Sequence, residues 1–149
     1  MVLVVAEKTI PGDLDEVFRT FADPDRAVEV VPCILSVERL PGPTEGVGAR
    51  FKETRQHGKR SMTMEFEVAE FDAPHTQRIK CMEHGTMWDS TFKFKEAPGG
   101  THVRIEMNAL GMSLLPRLLN PLMKPLFRKG IQGHLDAVHE FFESGGKTE

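Results

Sequence analysis

A chain of 149 residues is the size of one ordinary domain, long enough to bury one sizeable core and too short for two comfortable ones. Its formal net charge is −3 and its positive residues are scattered, so there is no basic stripe of the kind that neutralises phosphates, which argues against nucleic acid as a partner. Cys33 and Cys81 are too few and too far apart for a disulfide framework or a zinc ribbon; reduced thiols are expected, with a single bridge left open.

The opening "MVLVVAEKTI" carries only six apolar residues before Glu7 and Lys8, without a basic start or a cleavage pattern, and predicts a strand rather than a signal peptide. No apolar run approaches the ~18 residues a spanning helix needs. A soluble, cytoplasmic protein without a transmembrane segment is therefore expected. Next, "PGDLDEVFRTF" predicts a short helix with Asp13 as N-cap and Glu16 three residues on, the spacing of a capping box, followed by Leu14, Val17, Phe18 and Phe21 on one apolar face. "DPDRAVEVVP" predicts a second short helix, capped by Asp23 and opened by Pro24, that stops before Pro32.

From Cys33 to Leu110 the hydrophobic period changes to two, and turn signals recur in "LPGPTEGVG", at His57, Asp72 and His84, and in "APGG". Six consecutive strands joined by short turns make an antiparallel meander. In "SMTMEFEV" the residues Met62, Met64, Phe66 and Val68 alternate with polar neighbours, and the phase slips after Val68, which predicts a β-bulge near Ala69 and a bent strand. The last segment, "GMSLLPRLLNPLMKPLFRKGIQGHLDAVHEFF", has helical periodicity but contains Pro116, Pro121, Pro125, Gly130 and Gly133. Ile131, Leu135, Val138 and Phe142 predict an anchored second half. The prolines predict a kinked or broken first half, and the two glycines a pivot between them.

The order is strand, two short helices, six-strand meander, long helix. A seven-stranded curved sheet wet on its outer face has one inner face to cover, and only the last helix is long enough to lie across it. A gap between them becomes a cavity.

On "IPGDLDEVFRTFADPDRAVEVVPCILSVERL", "GVGARFKETR", "FDAPHTQRIKC", "TFKFKEAPGGTHVRIEM" and "GIQGHLDAVHEFFE", which cover nearly the whole chain, the sequence resembles the START-like (SRPBCC) superfamily and its bacterial polyketide cyclase/dehydrase-type members. The resemblance implies an α+β helix-grip fold: a seven-stranded curved antiparallel sheet with two short helices and a long C-terminal helix enclosing a cavity. Residues 1–144 then form a single START-like domain and 145–149 a flexible tail. It implies a hydrophobic pocket for a lipid, polyketide or similar molecule, and no cofactor. It carries no shared catalytic motif, so chemistry must be argued from the site.

Strand phase turns Glu53, Arg55, Glu83 and Ser90 inward. A carboxylate facing an apolar cavity has its charged form disfavoured, so Glu53 and Glu83 are candidate acid–base residues; for Glu53 beside Arg55 the favoured reading is a structural ion pair at the cavity mouth. The candidate lining is Phe51, Met62, Met64, Phe66, Cys81, Trp88, Phe92 and Met107 from the sheet, and Leu115, Leu119, Leu122, Met123 and Phe127 from the helix. Phe94, Met82 and Met87 extend the methionine-rich apolar set, which suits an adaptable pocket. His75, His102, His134 and His139 lack metal-ligand spacing, and no metal site is expected. The leucine-rich half of the last segment reads as a pocket lid, as core, or as a membrane-surface helix, with lid or core favoured because the sheet needs covering and the positive charges are few.

The leading expectation is binding, transport or sequestration of a small hydrophobic ligand, by a monomer or homodimer that contacts membranes at most transiently. The alternatives are a cofactor-free cyclase or dehydratase using an inward glutamate, and a protein-interaction or toxin–antitoxin type module.

Overall fold

The computed structural model describes residues 2–145, so most of the expected tail lies outside the described residues. The chain runs β1 (Val2–Ile10), α1 (Leu14–Ala22), α2 (Pro24–Val30), β2 (Ile34–Arg39), β3 (Arg50–His57), β4 (Arg60–Asp72), β5 (Thr76–Glu83), β6 (Thr86–Ala97), β7 (Gly100–Gly111), α3 (Leu114–Leu119), a 3-10 turn (Asn120–Met123) and α4 (Lys124–Glu143). The seven strands form one sheet in the order β1-β7-β6-β5-β4-β3-β2, with every neighbour antiparallel, the helix-grip arrangement expected from the sequence.

The pairing of β4 with β5 shifts register between Val68 and Glu70, where the hydrophobic phase slips. An unpaired residue bends a strand and increases its twist. The inward set therefore passes from Val68 to Phe71, opposite Gln77.

Asp23 caps α2 as expected, its Oδ1 accepting from the Asp25 backbone N–H at 3.0 Å with Pro24 behind it. The capping box of α1 does not form. Asp13 occupies the N-cap position but its side chain makes no capping bond, and the Glu16 carboxylate is held by Arg26 at 2.7 Å instead. A guanidinium from α2 is a charged donor and outcompetes the neutral amide that a capping box requires.

The main core joins α1, α2 and α4 to the inner face of the sheet through Ile10, Val17, Phe18, Ala27, Val103, Ile105, Leu135 and Val138, all at most 5% exposed. Phe18 meets Phe94 edge-on at 5.0 Å. A smaller cluster of Val2, Val4 and Ala109 gathers Trp88, Met107, Phe127 and Ile131 around it.

The last segment is broken, as its prolines require, but at a different place from the expected glycine pivot. Each proline sits in the first turn of its own element: Pro116 in α3, Pro121 in the 3-10 turn and Pro125 in α4. There a missing N–H costs no hydrogen bond. The break falls at Asn120–Met123, and α4 runs unbroken through Gly130 and Gly133. The glycines therefore lower helix propensity without breaking the helix.

Candidate functional site

The elements covering the sheet are unevenly placed. α4 lies along β1, tied there by Lys8 Nζ to Asp136 Oδ1 at 2.7 Å. Beneath it the inward residues Val4, Ala6, Val103 and Ile105 are buried. On the middle strands, alternation turns Met62, Met64 and Phe66 of β4, Ile79 and Glu83 of β5, Trp88 and Ser90 of β6 and Met107 of β7 to the same inner side, yet all of these are only half-buried. The concave floor formed by β3 to β6 is apolar and partly uncovered.

Register brings the expected lining residues together in pairs. Phe51 stands opposite Phe66, with the rings stacked at 5.4 Å; Glu53 stands opposite Met64, Arg55 opposite Met62, and Cys81 opposite Trp88. Phe127 meets the Trp88 ring edge-on at 4.7 Å, closing the floor beside Met107. Phe92 and Phe94 belong to the main core rather than the floor, packed against Phe21. Met82 and Met87 lie on the outer face, since Met82 pairs with Met87 one residue out of phase with the Cys81–Trp88 pair, and Met82 is exposed.

Leu115, Leu119, Leu122 and Met123, expected over the pocket, lie on the solvent side, with Leu122 78% exposed. The inward position of this stretch is taken by Asn120, which is buried and whose Nδ2 donates to Thr86 Oγ1 at 3.3 Å. One helical turn can present only one side to the sheet, and here an amide that must be hydrogen-bonded claims it.

A polar cluster on the inner face is centred on β3. The carboxylate of Glu53, a buried residue, accepts from Arg55 Nε. Arg55 Nη2 lies 3.2 Å from Nδ1 of His134, whose ring stacks on Phe21 at 5.2 Å with an interplanar angle of 14°. Arginine has donors only, so Nδ1 accepts and the neutral ring carries its proton on Nε2. That Nε2 is sealed from solvent and has no partner, the one such side-chain atom among the described residues. Burial, reinforced by the Arg55 charge, pushes the His134 pKa down to about 3.

His134 was not among the candidate site residues, although helical phase could have found it: it lies three residues after Ile131 and four before Val138, on the buried stripe. Glu83 sits at the β5–β6 hairpin, half-buried, with Oε1 3.0 Å from His84 Nε2 and away from the cluster. Cys33 is exposed and Cys81 buried, both free thiols, and burial raises the Cys81 pKa to about 11. Among the described residues no group of three or more His, Cys, Asp or Glu is placed to hold a metal ion, and no helix is long and apolar enough to cross a membrane.

Beyond the Phe51 end of the floor lies an open cavity of about 540 Å³, between α1, the β2–β3 loop and the β4–β5 turn. It is not lined by the C-terminal helix. Phe18, Phe51, Val68 and Phe71 supply its apolar wall and Asp15, Arg19, Asp23 and Glu45 its polar rim. Arg39 bridges its mouth, donating to Asp23 and Asp25 at 3.0 and 2.9 Å and to the Thr44 carbonyl oxygen at 2.6 Å. Phe51 belongs both to this cavity and to the floor.

Among solved structures, protein TTHA0849 from Thermus thermophilus superposes with a TM-score of 0.78 at 19% identity, covering 98% of this chain and 100% of that one. Ara h 8.0201 superposes with a TM-score of 0.73 at 18% identity, covering 97% and 99%. The di-domain ARO/CYC StfQ from the steffimycin biosynthetic pathway gives 0.76 at 14%, covering 96% of this chain and 51% of StfQ. At these identities the likeness is one of fold. No curated protein sequence matches the chain. The family model described as polyketide cyclase / dehydrase and lipid transport matches residues 1–143, and with the helix-grip sheet and its broken C-terminal segment this makes the chain a member of that family, within the START-like superfamily.

Proposed function

We propose that the protein binds a small hydrophobic molecule on the floor formed by β3 to β6. The observation that carries this reading is the uncovered floor itself. Met62, Met64, Phe66 and Trp88 point to the concave side and remain half-buried, whereas the same face under α4 is fully buried. Apolar surface left open to water on a concave face gains free energy when an apolar ligand covers it, at roughly 25 cal/mol per Å². The neighbouring cavity exceeds the ~300 Å³ typical of small-ligand pockets and gives an approach past Phe51. The family description and the steffimycin-pathway neighbour support a lipid or polyketide-like ligand.

Trp88 is the only tryptophan and lies on the floor, so its emission reports occupancy. Native mass spectrometry of protein purified from its own cells should show a co-purifying small molecule, and titration with a naphthalene-based apolar probe should change Trp88 emission saturably. Met64→Arg, which places a charge on the floor, should abolish the response. A protein that carries nothing and gives the same response in Met64→Arg would end the proposal.

A second reading is favoured by the burial of Glu53 and its contact with Arg55 and, through it, His134. The protein would then be a cyclase or dehydratase that moves a proton at Glu53, with Glu83 the weaker candidate at the hairpin. With an identified substrate, Glu53→Gln should lose about 10²–10⁴-fold in turnover while binding survives. Unchanged turnover in both glutamine variants would leave only binding.

A further inference from the structure

We infer that residues 112–129 form a docking surface for anionic lipid bilayers. Met112, Leu114, Leu115, Leu118, Leu122 and Leu126 are between 58% and 78% exposed, and among the other described residues the most exposed large apolar side chains, Val47 at 63%, Leu35 at 53% and Met82 at 50%, are scattered along the chain. Single exposed apolar residues are ordinary, but a contiguous group marks an interaction surface. These side chains cannot simply fold inward. The opposite side of the segment is fastened by Asn120 to Thr86, by Phe127 to Trp88, and by Arg117 Nε to the Gly111 carbonyl oxygen at 3.0 Å. Three prolines in first turns stiffen the backbone between those fastenings.

Charge identifies the occupant. Lys124, Arg128 and Lys129 lie in the same stretch, all exposed, and none pairs with a carboxylate among the described residues. From Met107 to Leu135 the chain has no acidic residue, although its overall net charge is −3. An interfacial segment combines exposed Leu with Lys and Arg in this way, burying the apolar side at the headgroup boundary while the cations meet anionic lipid. Each basic residue near such a surface strengthens attachment by roughly five-fold. A second copy of this chain fits worse, because a two-fold interface would press two such cationic segments together.

This inference goes beyond the ligand-binding reading and does not rest on it: a protein that docks but carries nothing, and one that carries but does not dock, separate in the two experiments. The test is co-sedimentation of the full chain with vesicles of phosphatidylcholine alone and of phosphatidylcholine containing about one-third phosphatidylglycerol. Binding is expected to the anionic vesicles, weakening as salt is raised, with little binding to phosphatidylcholine. Leu118→Ser with Leu122→Ser should lose at least about ten-fold in binding, and Arg128→Glu with Lys129→Glu should abolish the preference for anionic lipid. Both pairs are exposed, so thermal melting should match the parent; Val47→Ser should bind as the parent does. Absence of binding to anionic vesicles by the folded parent, or binding untouched by the leucine pair, overturns the inference. A dimer in light scattering that dissolves in the leucine pair, with no vesicle binding, replaces it with self-association.

Discussion

Arg55 on β3 and His134 on α4, 79 residues apart in sequence, share a hydrogen bond of 3.2 Å at the inner face of the sheet. Burial, reinforced by the guanidinium that occupies Nδ1 and opposes a second positive charge, holds the histidine neutral with its free N–H sealed inside. Among the described residues, the contact joins the one buried side-chain polar atom without a partner to the Arg55–Glu53 ion pair of β3.

Acid should therefore unfold the protein earlier than its carboxylates alone would. His134 has a folded pKa of about 3 against an ordinary 6.5, so below pH 6.5 the unfolded chain takes up a proton that the folded chain refuses. Its contribution is fully present above 6.5 and is lost as pH falls toward 3, with a slope approaching about 1.4 kcal/mol per pH unit. The lowered carboxylates Glu106 and Asp136 act only below their ordinary values of 4.5 and 3.8. Urea unfolding between pH 6.5 and 4.5 should show the slope in the parent, and His134→Gln, which keeps an acceptor for Arg55, should flatten it. Parallel profiles would mean that His134 titrates normally.

The two halves of the C-terminal segment should respond oppositely to truncation. Leu135 is fully buried in the main core, and Leu135→Ala should cost about 2.5–5 kcal/mol through lost burial and the cavity left behind. Leu118→Ala should stay within about 0.5 kcal/mol, because that side chain already faces water. Denaturant midpoints measure both.

Gly130 and Gly133 lie inside α4 where an added Cβ would meet nothing within 4 Å. Alanine at either position should stabilise by about 0.4–1 kcal/mol, chiefly by reducing the freedom of the unfolded chain. A loss of stability instead would mean that the helix bends there, restoring the glycine pivot.

On the outer face Arg78 grips Asp89 with two hydrogen bonds, Nε to Oδ1 at 2.8 Å and Nη2 to Oδ2 at 2.6 Å, and reaches Glu70 at 2.9 Å. Asp89 is only 9% exposed, and the Arg78 hydrogen bonds hold its pKa below the ordinary 3.8. That contribution is present at neutral pH and is lost as pH falls below 3.8. Asp89→Asn should cost about 1–3 kcal/mol at pH 7. Glu70→Gln on the same guanidinium should cost less than about 1 kcal/mol, because Glu70 is exposed. Equal losses in thermal melts would show that burial of the partner does not matter here.

The order of elements, the seven strands, the bulge after Val68, the cap at Asp23 and the breaking of the last segment by its prolines were all legible in the sequence. Each depends on backbone geometry within a few residues, where a period of two, a missing N–H or a capping carboxylate acts whatever the rest of the chain does. The inward phase of Glu53, Arg55 and the floor residues followed for the same reason. What only the tertiary structure decided are matters of placement between distant elements. Glu16 gave up its expected cap for Arg26, a neighbour from the next helix. His134 became part of the site because α4 carries it within reach of Arg55. The leucines of residues 114–126 turned outward because a single buried amide, Asn120, took the inward position. Periodicity states that a helix has an apolar face; it does not state whether the sheet, a ligand or a membrane covers that face, because that depends on where the helix comes to rest.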